Sequence, residues 1–468
     1  MPRSIECLFP EPTGWCIGVP TERGWQEYFG DGGSREAILG AIRQAWRRVP
    51  ALRLAVAGAF RSLRTPNYRL WAAGALVSNV GTWMQRVAQD WLVLTQLTQH
   101  SASAVGVVMG LQFGPQLLLL PWTGFAADHF DQRKLLIATQ TAMGLLALIL
   151  AALTIGGVVQ LWQVEVLAFL QGCAAAFDAP VRQTFVAQLV TNEDLSNAIA
   201  LNSTSFNAAR MVGPGVAGIT IAAVGTGWAF AINAASFAAV LLSLLRLRMS
   251  EIRVPARAAR AKGSLFEGFR YVRSRPDLMT ILAMLFLIGT FGLNFPIFIA
   301  TMAVRVFHAD AQGFGLLSSI MAVGTMSGAL LAAGRDKIGF GSILSGAAVF
   351  GIGCTLAAFA PDYWAFAALL VVIGVAALTF INATNSLMQL GTEPSMRGRV
   401  IAIRIAVGLG GTPIGAPIVG WVADSWGPRW AIGVAALAGF AAAAIGAMFL
   451  RSRRSAGGDG NGLAGGSL

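Results

Sequence analysis

Apolar runs separated by short polar punctuation recur along nearly the whole chain, each close to the ~20 residues that a helix needs to cross a bilayer. Twelve spans are placed, at 70–94, 103–126, 134–157, 162–183, 197–224, 226–247, 278–303, 312–333, 340–360, 363–388, 400–424 and 428–450. Period-two alternation is missing, which argues against a barrel. Glycine and proline interrupt the runs, as they do where membrane helices pack closely on one another. The pattern predicts an all-α membrane protein.

The second half of the chain echoes the first. Gly213, Gly218, Gly225, Trp228, Ala229 and Ala234 recur as Gly415, Gly420, Gly427, Trp430, Ala431 and Ala436, each pair 202 residues apart. FRSLRTP (60–66) is answered by FRYVRSRP (269–276), and Gln188-Leu189 before Thr191 by Gln389-Leu390 before Thr392. Such repeats point to two pseudo-symmetric bundles of six helices, 60–248 and 266–452, around a midplane site. Between them lies a cytoplasmic linker, 249–265, with LFEGFRYVRS next to it as an amphipathic surface helix. Residues 1–59 form a cytoplasmic extension with no visible secretory signal, and 453–468 a disordered tail. Within the extension, Ser34 is placed to cap an interfacial helix, SREAILGAIRQAWRR; a weakly ordered arm, or translation from a later start, is the competing reading.

Composition agrees with a membrane protein: 55% of the residues are hydrophobic and 12% charged, against roughly a quarter charged in soluble chains. The net charge of +12 is distributed unevenly. One side of the spans receives Arg133, Lys134, the basic 246–275 connection, Arg335, Lys337, Arg397, Arg399, Arg451, Arg453 and Arg454, and the other only Arg305 and Arg429. Lys and Arg stay on the cytoplasmic side, so both termini are cytoplasmic in a multi-pass cell-membrane protein. The basic rim meets anionic lipid headgroups and requires no nucleic acid. Cys7, Cys16, Cys173 and Cys354 lack metal-binding spacing, and the chain holds three His; no metal and no cofactor is expected. Neither a phosphate-binding G-x-x-x-x-G-K-[ST] loop nor H-E-x-x-H or G-x-S-x-G occurs, which speaks against an ATP-driven pump and a membrane enzyme. A channel would show a filter repeat or charged ring. A monomer is expected.

The stretch GFAADHFDQRK (124–134) concentrates charge between two spans. Together with FDAPVRQTF (177–185), NEDLSNAIALNS (192–203), RMVGPGVAG (210–218) and MRGRV (396–400), it resembles the major facilitator superfamily over residues 60–452, in the branch of enterobactin exporters and macrolide-efflux proteins. Gly124, Asp128, Arg133 and Lys134 occupy the places of its G-x-x-x-D-x-x-G-R-R/K loop, with Asp131 and Gln132 departing from it. The resemblance implies a conformational latch. Asp128 would accept from the N-terminal N–H groups of a helix in the other bundle, where the dipole favours an anion, and Arg133 would bind Asp178. Gly213, Pro214 and Gly218 fit the antiporter signature that accompanies export, with Ala209 and Ala217 in place of glycines. Proline there removes a backbone bond and lets the helix bend.

Ionisable groups within spans are costly, roughly 2.5–3.5 kcal/mol on insertion scales, and usually face a water-filled path. Asn79, Trp83, Arg86 and Asp90 share one face of the first span. Arg86 and Asp90 form either a proton-coupling pair or a structural one, and Arg210 in the fifth span adds a third charge. The basic residue that the family carries ahead of Q-G in its fourth span is Ala168 here, so Arg86 or Arg210 would have to replace it in proton transfer. Further candidates for a cavity lining are Gln112, Gln116, Asn207, Thr290, Asn294, Asn382, Asn385, Ser386 and Gln389. The expected function is proton-coupled export of an amphipathic small molecule, siderophore-like or drug-like, by alternating access. A lipid or lysolipid flippase, or an importer, on the same fold is the rival.

Overall fold

The computed structural model describes residues 5–7, 18–20, 60–252, 265–333, 339–394 and 396–458. Contacts divide the chain into two compact units, Met1–Arg61 and Ser62–Leu468. In the first, β1 (Ile5–Cys7) pairs antiparallel with β2 (Gly18–Pro20). The helix expected at 34–48 and most of the linker, 253–264, lie outside the described residues. Everything below concerns the second unit.

That unit is helical throughout. Its first half contains α1 (Pro66–Trp91), α2 (Ala102–Leu118), α3 (Leu120–His129), α4 (Gln132–Ile155), α5 (Leu161–Leu189), α6 (Asn192–Val224) and α7 (Thr226–Leu245). After a surface helix, α8 (Leu265–Arg273), come α9 (Pro276–Leu287), α10 (Phe295–Thr301), α11 (Ala311–Ala333), α12 (Phe340–Ala358), α13 (Tyr363–Leu390), α14 (Arg397–Trp426) and α15 (Pro428–Gly458). Among the described residues, nine helical segments are long and apolar enough to cross a membrane, Pro276–Val306 counting as one. The expected first, second and fifth spans are not among the nine. Polar side chains dilute α1 and α6, and the second span is broken at Leu119 into α2 and α3. Pro115 and Pro121 explain the break, since each removes a backbone donor.

The expected seventh span is also interrupted. Beyond α9 a wide π-type turn, Ile288–Gly292, gives way to irregular backbone before α10. Pro296 sits in the first turn of α10, and the Asn294 side-chain amide donates to the Thr290 carbonyl at 2.7 Å, satisfying part of the opened backbone. At the other margin, α15 continues past residue 452 to Gly458, where a tail was expected. No helix breaker precedes the glycines at 457 and 458, so the helix has no cause to stop earlier. The surface helix forms as predicted, and Glu267 ties it to α14 through Arg399 at 3.0 Å.

Packing gives the repeat its physical meaning. Helices α1, α4 and α7 pack together in the first half, as do α12, α13 and α15 in the second; the halves meet where α2 lies on α14 and α6 on α11. Gly213 lets α6 approach Trp83 and Val80 of α1, and Gly415 lets α14 approach Thr290. Gly218 rests on the start of α11 at Ala311 and Gln312, while Gly420 rests on the start of α2 at Ala102 and Ser103. Gly225 and Gly427 end α6 and α14 at φ +91° and +101°. Each repeated glycine therefore occupies an equivalent crowded or left-handed place.

At Gly415 a side chain would strike the Thr290 backbone, whereas Gly433 on α15 faces open space. Gly415→Val should lower thermal stability in detergent by about 1–3 kcal/mol, the usual cost of overpacking. Gly433→Val should leave it unchanged. Equal melting midpoints for the two variants would contradict the packing account.

Candidate functional site

The seam between the halves is closed at one end by charge. Ser101 caps α2, accepting from the Ala104 N–H at 3.2 Å. Directly above it, the Asp424 carboxylate near the end of α14 accepts from the Ala102 and Ser103 N–H groups, both at 2.8 Å, and from the Ser101 hydroxyl at 3.0 Å. Arg305 completes the cluster, donating to Asp424 and to the Ala423 carbonyl, both at 3.1 Å. An anion on a helix N-terminus is favoured by the exposed N–H groups and the dipole together. On the other side of the seam the Pro214 carbonyl and Gly218 lie against Gly315. Toward the opposite ends of these helices Leu118, Ile199, Phe206 and Ile405 are exposed, while Leu117 of α2 still lies against Gly410 of α14.

Beneath the closed end lies a cavity of about 320 Å³ bounded by both halves. Trp83, Arg86, Asp90, Gln112 and Arg210 line it from the first half, and Phe295, Phe314 and Thr325 from the second. The Arg86 guanidinium lies 4.7 Å from the Trp83 ring centroid and 5.4 Å from that of Phe113; Arg210 lies 5.4 Å from Trp83. Asp90 is buried at 7% exposure. Arg86, Asp90 and Arg210 make no hydrogen bond or ion pair among the described residues. Arg86 and Asp90 thus line one cavity without a direct ion pair, and Arg86 rests against two aromatic faces, which attract a cation without neutralising it.

Other candidates fall elsewhere. Asp178 is paired with Arg182 at 2.9 Å and not with Arg133, whose guanidinium donates to the Leu244 carbonyl at 2.8 Å at the end of α7. Helical geometry accounts for both contacts, because Arg182 is four residues along α5 from Asp178, whereas Arg133 finds the free carbonyls at a helix C-terminus. Thr139 and Gln140 also donate to Asp178, and Arg182 donates to Asn79 at 3.1 Å. Asn79 thus belongs to this buried network. Gln116 joins Gln85, Gln171 and Asn233 around a smaller void. Asn207 bonds within its own helix to the Ser203 carbonyl, and Asn294 precedes α10 with its side-chain amide turned back to the Thr290 carbonyl rather than onto the helix end. Asn382, Asn385, Ser386 and Gln389 are half-buried on α13, outside the lining of the large cavity.

The side chains of Gly124 and Asp128 lie outside the described residues. Asp131, the departure from the family loop, caps α4 by accepting the Lys134 N–H at 2.9 Å. Three features escaped the sequence reading. Arg182 was legible from its four-residue spacing to Asp178. Arg404, bonded to the Ile381 carbonyl at 2.8 Å, could be seen as a charge within a span. Asp424 and Arg305 could not be found by spacing, since their partners are hundreds of residues away or backbone.

Residues 57–457 match the family model described as a transmembrane secretion effector, within the major facilitator superfamily. The chain belongs to this family. Its relatives are transporters, not enzymes. The multidrug efflux pump Tap of Mycolicibacterium fortuitum is 27% identical over 75% of this chain and 88% of its own. The enterobactin exporter EntS of Escherichia coli O1:K1 / APEC is 25% identical over 82% and 91%. The staphyloferrin A transporter of Staphylococcus aureus is 26% identical over 52% of this chain, and the match spans 61% of that protein. Among solved structures, an inward-facing bacterial homologue of the lysosomal transporter Spinster has the same fold, with a TM-score of 0.65 at 14% identity over 83% of this chain and 97% of its own.

The charged closure has a direct test. Ala416 is fully buried in the α2–α14 seam, so a cysteine there, with the four native cysteines replaced, reports opening. Hydrogen bonds to a charged group are worth about 1.5–3 kcal/mol each, so Asp424→Ala should raise maleimide labelling at that cysteine roughly tenfold or more. Unchanged labelling would mean that apolar packing alone holds this end.

Proposed function

We propose that this family member is a proton-coupled secondary transporter of the cell membrane that exports an amphipathic small molecule by alternating access. Twelve spans, some broken, form two six-helix bundles, residues 60–248 and 266–452, which rock about the cavity as a monomer with both termini cytoplasmic. The basic residues orient the molecule by the positive-inside rule. In that orientation the Asp424 end faces outward and is closed.

One observation carries this reading: a cavity between the halves is lined by three charged side chains, Arg86, Asp90 and Arg210, that make no hydrogen bond or close ion pair among the described residues. Membrane-buried charge without a structural partner is costly, and a transported solute and proton would supply what is missing. Asp90 is the proton acceptor in this proposal, and Trp83, Arg86, Arg210 and Gln112 hold the solute. Efflux as the direction is supported by the similarity to Tap and to the enterobactin exporter.

The moving parts follow from the seams. For the outer face to open, Asp424 must leave the α2 N-terminus and Arg305 must find water. On the cytoplasmic face, Asp128 then caps the start of α14 in the same manner, with Arg133 released from the end of α7 to approach Asp178. Helix α6 runs unbroken across Pro214, whose ring removes the bond to the Arg210 carbonyl. Contact between Pro214 and Gly315 makes this the pivot, with α6 rolling on α11.

Inside-out vesicles with an acidic interior and a labelled panel of siderophores, macrolides and lysolipids test the proposal. Accumulation that an uncoupler abolishes is expected. Arg86→Ala and Asp90→Asn should reduce proton movement per solute, and Asp128→Asn should stop transport at a normal membrane level. Accumulation indifferent to the gradient would favour a facilitator or flippase, and wild-type flux in Asp128→Asn would remove the cytoplasmic latch.

A further inference from the structure

The charges around the cavity are unequal in number. Arg86 and Arg210 face one carboxylate, Asp90, leaving the lining with one net positive charge. Several other arginines of the helical unit have partners: Arg182 has Asp178, Arg305 Asp424, Arg399 Glu267, and Arg133, Arg404 and Arg429 backbone carbonyls. Arg86 and Arg210 instead lie against Trp83 and make no hydrogen bond or ion pair among the described residues. An aromatic face holds a guanidinium in place while leaving its N–H donors unused.

We infer that the solute carried by this cavity is an organic oxyanion, a carboxylate on an apolar or aromatic body, bound head-first between Arg86 and Arg210. This rests on the cavity being the solute path, and not on proton exchange. Guanidinium N–H groups match the paired oxygens of such a head better than any other side chain does. Phe113, Phe295, Phe314, Met109 and Ile299 supply the wall for the body. A cationic solute would instead meet two like charges in a poorly hydrated space, where repulsion is strong.

The charge count also has a consequence for driving force. A loaded cavity holding a monoanion is neutral, whereas the empty one returns inward carrying positive charge. An inside-negative membrane potential assists that return by about 2.3 kcal/mol per charge for each 100 mV. Export of the anion is therefore drawn by the potential as well as by any proton gradient.

Three fluorescent probes with one body and different heads decide the matter: pyrenebutyrate, pyrenebutylamine and pyrenebutanol, titrated against the purified full chain and followed by energy transfer from tryptophan. Pyrenebutyrate should bind at least about tenfold tighter than either of the others, the value of one charge-assisted hydrogen bond. Arg210→Gln should cut the butyrate-to-butanol ratio about tenfold. Asp90→Asn, which removes the opposing charge, should tighten pyrenebutyrate binding, a gain that misfolding cannot mimic. Equal binding of the three heads, tighter binding of the amine, or weaker butyrate binding in Asp90→Asn would overturn the inference. Because titration needs no gradient, lost pumping with the head preference intact would sink the export reading alone. Proton-dependent pumping with no head preference would sink this one alone.

Discussion

Four donors from two separate elements converge on the Asp424 carboxylate: two backbone N–H groups and a hydroxyl at the start of α2, and Arg305 beyond the end of α10. The cavity depends on that convergence. It fixes the end of α14 onto α2, and with the glycine contact of α6 on α11 it shuts one end of the seam. The charges also suit one another physically, since a carboxylate at a helix N-terminus replaces lost hydration with oriented N–H groups. Removal of the carboxylate would leave both Arg305 and the helix end short of partners.

A second constraint follows from the surroundings of the helices. Charge within a bilayer must be partnered or wetted, and this chain shows both solutions side by side. Asp178 and Arg182, with Thr139, Gln140 and Asn79, form a satisfied network inside the first half. Arg86, Asp90 and Arg210 stand a few turns away facing a cavity, with no hydrogen bond or close ion pair among the described residues. The first group has the signature of a scaffold. The second lines the cavity between the halves, and it lies on α1 and α6, two helices whose polarity keeps them below the hydropathy of an ordinary span.

Much of this was legible in the sequence because it follows from local spacing. The glycine pairs 202 residues apart mark equivalent close approaches; Trp83, Arg86 and Asp90 share a helical face and one cavity; Leu265–Arg273 is the predicted surface helix. What escaped was set by tertiary contact. Arg86 turned from Asp90 toward Trp83 and Phe113, Arg133 found carbonyls at the end of α7, and Asn207 folded back on its own helix. Breaks at Leu119 and at Leu293–Asn294 reflect prolines whose effect depends on neighbours able to accept the freed backbone. Hydropathy sees a continuous apolar run in both places.

The repeat also exposes an asymmetry that bears on how such a molecule can move. Gly218 and Gly420 are equivalent, yet the residue equivalent to Asp424 by the same offset of 202 is Ala222. The α6–α11 seam therefore closes by close glycine–backbone contact with no carboxylate at that place, and the α2–α14 seam by contact plus charge. A contact of glycine on backbone can roll with little change in energy, whereas a capped helix N-terminus is either made or broken. One seam suits a pivot and the other a switch with two discrete positions, as conformational transitions between packed halves require. If Asp128 caps α14 when Asp424 releases α2, each state keeps one anion on one helix end. Exchange of like for like holds the two states within a few kcal/mol of each other, the range in which binding of a solute is able to decide between them.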